Sequence, residues 1–181
     1  IGYHFTAPFD DISGTVEAVS EGVEGLVRGD AVYGATNPLF IGGYAEFAVA
    51  EAHMLAHKPS RLNHVEAASV PVVACTAWQL VHAYGKVDHG QRVLVHGAAG
   101  NVGAYAAQFA KLAGATVIGT CRHGDAAFLQ SLGVDTIIDV DAERFEDLAK
   151  DVDVVLDTVG GDTLERSFAV VRPGGAIVSS V

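Results

Sequence analysis

The spacing of apolar positions changes along the chain. Residues 1 to about 60 carry short apolar or alternating runs cut by turn residues. Positions 15–19 alternate apolar and polar, Gly29-Asp30 precedes Ala31-Val32-Tyr33, and Gly42-Gly43 leads into 44–50. Each run predicts a short strand. Lys58-Pro59 ends this style. From Asn63 to about Tyr84 the apolar residues become continuous and helix-like, with Pro71 as a break or kink. Beyond Arg92 strand and helix alternate: strands at 93–95, 116–120, 136–139, 152–157 and 176–180, helices at about 101–113, 124–132, 143–149 and 162–170. That alternation predicts an α/β unit with a parallel sheet and right-handed crossovers. It supplies five strands where a full doubly wound fold has six.

Composition narrows the classes. Of 181 residues, 50% are hydrophobic and 18% charged, which suits a substantial core and argues against disorder. A net charge of −11, with the basic residues scattered, argues against a nucleic-acid partner. Cys75 and Cys121 lie in apolar segments without C-x-x-C spacing, as expected of a reducing, cytoplasmic setting without a cysteine-rich zinc lobe. Residues 67–85 form the longest uncharged run, 19 residues, but Pro71, Gln79 and His82 interrupt it. A buried helix, with no membrane partner, is the expectation. The chain starts at Ile1 and stops inside the apolar run 176–181, so both ends read as cut, and the last strand is expected to be a bare edge needing a partner.

The candidate chemistry centres on RVLVHGAAGNVGAYAAQFAKLAG, residues 92–114. A buried strand, a turn with glycines at 97, 100 and 103, and an alanine-rich helix closed by Gly114 place backbone N–H groups and a helix start where a phosphate is held. Against G-x-G-x-x-G the matching positions are Ala98, Gly100 and Gly103, so the first glycine is replaced. The acidic residue expected at the tip of the second strand is missing, and Arg122 stands there instead, where a 2′-phosphate takes a cation. The pattern therefore predicts NADP(H) over NAD(H).

His53, His57 and His64 have no cysteine or carboxylate at a matching spacing, so no metal site is expected. His96 ends the first strand of the parallel series, a position that suits a hydrogen-bonded strand-end histidine. No Gly-x-Ser-x-Gly elbow is present, and no catalytic residue is evident.

VHGAAGNVGAYAAQFAKLAGATVIGT closely resembles the cofactor segment of the zinc-independent NADPH:quinone oxidoreductases, the zeta-crystallin-like branch of the medium-chain dehydrogenase/reductase superfamily. The resemblance extends to ISGTVEAV (12–19), the turn at Gly29-Asp30, GGYAEFAV (42–49), Thr76-Ala77-Trp78, DVVLDTVGG (153–161) and RPGGAIVS (172–179). It implies a partial GroES-like β-domain over 1–60 and a Rossmann-type NADP-binding domain over 61–181 lacking its last strand. NADPH would lie between them.

On this likeness Gly100, Asn101, Val102 and Gly103 would hold the pyrophosphate and Thr76 would face the nicotinamide. Val159 and Gly160 would line the ribose side, and Gly174-Gly175 would start the fifth strand near the cleft. The implied reaction is hydride transfer from NADPH to a quinone or similar activated acceptor, with a homodimer in the full-length protein. Alternatives are a zinc-free 2-alkenal or enone reductase and a catalytically silent NADPH-binding protein.

Two departures stand out. Phe9-Asp10-Asp11 occupies the place of the Gly-His-Glu of zinc-using members, and Val140 rather than an aromatic follows Asp139, weakening adenine-side contacts. The family's first fifty or sixty residues, with an Asn by the nicotinamide, are also expected to be missing.

Overall fold

Short strands pair where turns let the chain reverse. In the computed structural model, which describes residues 11–39 and 42–181, β1 (Asp11–Thr15) runs antiparallel to β2 (Ala31–Ala35), and β2 to β3 (Leu55–His57). The run expected over 15–19 is thus displaced toward the N-terminus. Beyond Thr15 the backbone of Val16 stays paired, its N–H to Asp30 O (2.9 Å) and its carbonyl from Gly29 N–H (2.9 Å). The chain then turns at Gly22 and Gly25, both at positive φ.

The strand expected over 44–50 does not form. Tyr44, Phe47 and Val49 are more than four-fifths exposed, and β2 already has β1 and β3 on its two edges. Of the Phe9-Asp10-Asp11 stretch, Phe9 and Asp10 lie outside the described residues.

A capping box starts α1 (His64–Ala68): Asn63 Oδ1 accepts from Glu66 N–H (2.9 Å), and a Glu66 carboxylate oxygen accepts from Asn63 N–H (2.8 Å). This helix packs on β1 and β2. His64 Nδ1 lies 2.8 Å from Ser13 Oγ, and Asp11 accepts from Val72 N–H at 2.9 Å. The chain therefore divides into compact units at Val72/Val73 rather than near residue 60.

Pro71 opens α2 (Pro71–Trp78) as its first helical residue, where its missing N–H costs nothing. The helix then widens into a π-helical stretch, Gln79–Tyr84, with Gly85 N–H reaching back five residues to Leu80 O (2.9 Å).

In the second unit the alternation becomes a five-stranded parallel sheet in the order β6-β5-β4-β7-β8. The strands are β4 (Arg92–His96), β5 (Thr116–Cys121), β6 (Thr136–Asp139), β7 (Val152–Asp157) and β8 (Val171–Ser179). The helices are α3 (Asn101–Leu112), α4 (Ala126–Ser131), α5 (Phe145–Leu148) and α6 (Gly161–Ser167).

Both faces of the central strands are covered, which explains their unbroken apolar runs. Val93, Val95, Val117, Val154 and Leu156 pack with the buried alanines 106, 107 and 110 of α3. Leu94, Ile118, Ile138 and Val155 pack with Phe145 on the other face. No described helix is long and apolar enough to cross a membrane.

Candidate functional site

Parallel pairing brings the C-terminal ends of the strands to one edge of the sheet. His96 lies opposite Asp157, Cys121 opposite Asp139, and Asp157 opposite Ser179. Ligand sites of doubly wound sheets lie beyond this edge. The last residues of otherwise apolar strands are polar here, and each has a definite task.

The turn from β4 into α3 is built from backbone at close quarters. Gly97 adopts φ +64°, and a Cβ there would stand 2.7 Å from Thr158 Oγ1 and 3.0 Å from a Val159 methyl. Ala98 is wholly buried and its N–H is spent on Thr120 O at 2.9 Å. Gly100 gives its N–H to Gly97 O (2.9 Å) and caps α3 without a side chain.

The first intrahelical bond runs from Ala104 N–H to Gly100 O at 2.8 Å. The amides of Asn101, Val102 and Gly103 precede it, at the positive end of a 12-residue helix. Gly103 permits the approach: a Cβ on it would meet Gly97 O at 2.1 Å and Ala98 Cα at 2.9 Å. This cradle fits a diphosphate, which takes backbone N–H groups and the helix end together.

The turn is anchored from below by a directed chain of hydrogen bonds. Ser167 Oγ donates to Thr163 O (2.7 Å) and therefore accepts from His96 Nε2–H (2.9 Å). Nδ1 is then the acceptor for the Thr120 hydroxyl (3.2 Å), whose oxygen takes the Gly97 N–H (3.1 Å). Thr158 Oγ1 donates to His96 O at 2.8 Å. Burial pushes the His96 imidazole down to about 4, against a smaller opposing pull from Asp157, so the ring is neutral and its tautomer set. His96 is the hydrogen-bonded strand-end residue that its position suggests.

Asp157, fully buried, shapes the loop between β7 and α6. Its carboxylate accepts from Val159 N–H (3.1 Å), Gly160 N–H (3.1 Å) and Ser179 Oγ (2.8 Å). Val159 is left half exposed, while Gly160 is buried at φ +75°. Ser179 also borders a cavity of about 340 Å³ lined by Thr76, Gln79, Leu80, Tyr84, Val178 and Ser180. Thr76 is half-buried in that wall.

Past β5 the side chain of Arg122 is exposed, with no ion-pair partner among the described residues. Its neighbour His123 is tied to the end of β6. Nδ1 lies 2.9 Å from an Asp139 carboxylate oxygen, and the His123 N–H reaches Asp141 at 3.1 Å.

The structure thus gathers Gly100, Asn101, Val102 and Gly103 at one helix start, with Val159 beside the same turn, and puts Arg122 at the neighbouring strand tip. Ala98 and Gly160 sit behind this surface, their amides already used. Gly174 and Gly175 are not at this edge. They fall in the first half of β8, where a Cβ on Gly175 would meet Asp153 O at 2.7 Å, so they serve a bulge at the opposite end of the sheet. The expectation that they start the strand near the cleft is corrected accordingly.

Sequence reasoning passed over Thr120, Asp157, Thr158, Ser179 and His123. The available signal was a polar residue closing, or just following, an apolar strand. The three spaced histidines take separate partners: His53 pairs with Glu51, His57 with Gly25 O and His64 with Ser13.

Residues 101–180 match the zinc-binding dehydrogenase family. The chain is 38% identical over 181 residues to the 2-methylene-furan-3-one reductase of Solanum lycopersicum, covering 96% of this chain and 46% of that protein. Its structure superposes on the quinone oxidoreductase of Coxiella burnetii with a TM-score of 0.92 at 35% identity, covering 96% of this chain and 55% of the other. The Escherichia coli quinone oxidoreductase complexed with NADPH gives a TM-score of 0.87 at 29% identity, with the same 96% and 55% coverage. The chain spans about half the length of these relatives. Sequence and sheet order agree: residues 101–180 carry the zinc-binding dehydrogenase domain, and the chain's homologues are medium-chain dehydrogenase/reductase proteins, quinone oxidoreductases among them.

Proposed function

We propose that the chain is the nucleotide-holding part of an NADPH-dependent, zinc-independent oxidoreductase that delivers hydride to a quinone or similarly activated acceptor. The observation that carries this reading is the start of α3, uncapped by any side chain and closed against Gly97 by a contact only glycine allows. The amides at 101–103 would receive the diphosphate, and Arg122 the 2′-phosphate. The likeness to a protein complexed with NADPH supports the choice of nucleotide.

When bound, the nicotinamide supplies the hydride; the protein's part is to bind, orient and exclude water. A quinone needs no strong acid at the outset, which suits a site with no evident proton donor. The zinc-free reading rests on Phe9-Asp10-Asp11 standing where zinc-using members carry Gly-His-Glu. The reading also has a homodimer for the full-length protein. The tomato relative, a reductase of a methylene-furanone, favours a second acceptor class, 2-alkenals and enones.

The test is titration of the protein with NADPH and NADH, followed by turnover of 1,4-quinones against 2-alkenals. NADPH should bind more tightly than NADH, and Arg122→Gln should weaken NADPH about tenfold while sparing NADH. Absence of binding by either nucleotide refutes the reading. Equal affinities refute the preference.

A further inference from the structure

The tip of β5 carries a second cation that the nucleotide reading leaves unused. His123 follows Arg122 directly, and its side chain is 88% exposed. The ring is fixed by one nitrogen only, Nδ1 on Asp139, which leaves Nε2 without a described partner. Its backbone is fixed as well, through the N–H to Asp141, so the residue is held in place while one ring edge stays open to ligand.

Among the described residues, the charged groups that act on the ring are the carboxylates of Asp139 and Asp141. Asp139 and Asp141 come from the β6 end, with Asp141 N–H bonded to Asp139 Oδ1 at 3.0 Å, and Glu143 accepts from Asp139 N–H at 3.2 Å. Asp125 lies at the start of α4. A dianionic phosphate entering here meets carboxylates that Arg122 alone does not offset. A protonated His123 would neutralise Asp139 and offer Nε2–H to a phosphate oxygen.

We propose that His123, braced by Asp139, is a specificity-determining residue that joins Arg122 in gripping the 2′-phosphate of a phosphorylated dinucleotide, and does so in its protonated form. This rests on the nucleotide reading above.

The consequence is a preference for NADPH over NADH that strengthens as pH falls. The hydrogen bond to Asp139 and that carboxylate's charge raise the His123 pKa above its ordinary 6.5, while Asp139 itself is held low by the same bond. The cationic form is therefore fully present below 6.5 and is lost above it, as pH passes the raised value. The Cys121 thiol is pushed up by burial and by Asp125, Asp139 and Asp141, and stays neutral through this window. The 2′-phosphate loses charge near pH 6, which opposes the trend equally in every variant.

The experiment measures NADPH and NADH affinity of the full chain by nucleotide fluorescence at about pH 6.5 and about pH 8.5. Wild type, His123→Gln and Asp139→Asn are compared. In wild type the NADPH Kd should rise about tenfold toward the higher pH, the loss of one charge-assisted contact. The NADH Kd should move less than about twofold. His123→Gln should hold the weaker NADPH affinity at both pH values, and Asp139→Asn should move the NADPH transition to lower pH.

A His123→Gln profile that parallels wild type overturns the proposal, as does an NADH profile that follows NADPH. Nucleotide binding with a flat wild-type profile refutes the His123 role while leaving the nucleotide reading intact. Failure of both nucleotides to bind refutes both.

Discussion

Replacing Gly103 by alanine sets two principles against each other. Gly103 is the third residue of α3, and by helix propensity alone Gly103→Ala should stabilise the protein by up to about 1 kcal/mol. The packing gives the opposite sign. The new Cβ would stand 2.1 Å from Gly97 O, 2.8 Å from Gly97 C and 2.9 Å from Ala98 Cα. That is roughly 1 Å inside van der Waals contact with the oxygen. All three atoms are backbone, so no side chain can rotate away, and the helix start must lift from the β4 turn or the turn must open.

Overpacking typically costs about 1–3 kcal/mol, and rigid neighbours place this case at the top of that range. Gly97, at φ +64° against Thr158, cannot retreat. We expect Gly103→Ala to lower unfolding free energy by about 3 kcal/mol or more in urea denaturation, and to abolish NADPH binding in whatever fraction stays folded. Gly100→Ala is the control: φ is −75°, and the added Cβ would come no nearer than 3.2 Å to Gly97 O. It should cost no more than about 1 kcal/mol. A Gly103→Ala protein as stable as wild type, with nucleotide affinity intact, would refute the cradle.

Two further outcomes follow from buried and paired charges. Because burial holds the folded His96 near 4 while the unfolded residue titrates near 6.5, only the unfolded chain takes up a proton between those values. Stability should therefore fall by about 3 kcal/mol as pH drops from 6.5 to 4, a slope that denaturation of His96→Gln should lack and that a pH-independent wild-type midpoint would disprove. Glu146 is held at about 2, below its ordinary 4.5, chiefly by its hydrogen bonds to Arg166 at 2.6 and 2.7 Å. The stability it confers is present above 4.5 and lost as pH falls toward 2, so Glu146→Gln should flatten the acid limb of the unfolding curve, and an unchanged acid limb would count against the pair.

The parallel sheet was legible because burial on both faces leaves a continuous apolar run, as at Val93-Leu94-Val95, that a surface element cannot imitate. The small sheet was less legible, since alternation reports a face and not a partner. Residues 44–50 alternate well enough for a strand, yet both edges of β2 are taken. The helix start at 101 and the tight glycine at 103 were readable from spacing. Where the Ala98 and Gly160 amides go was not readable, because a motif gives the order of residues and not the partner of each N–H; Thr120 O and Asp157 take those two.

That division of labour is how an acidic chain would present the proposed anion site. His96, Thr120, Asp157, Thr158 and Ser179 all stand at this edge, and they spend polar atoms on one another, on Ser167 or on backbone. Asp157 in particular carries a charge into the edge, but two backbone N–H groups and a hydroxyl surround it. Among the described residues of this edge, the amides at 101–103 remain unspent, with Arg122 and one edge of His123 at the neighbouring tip. A bound anion would then compete with water for the amides at 101–103, which the helix start fixes before the anion arrives. Loosening the inner network should therefore weaken nucleotide binding without removing a single ligand contact, which separates Thr120→Val, where Gly97 N–H loses its acceptor, from Arg122→Gln. The first should weaken NADPH and NADH together and the second NADPH alone; Thr120→Val binding both nucleotides as wild type does would show that the turn holds its shape without help.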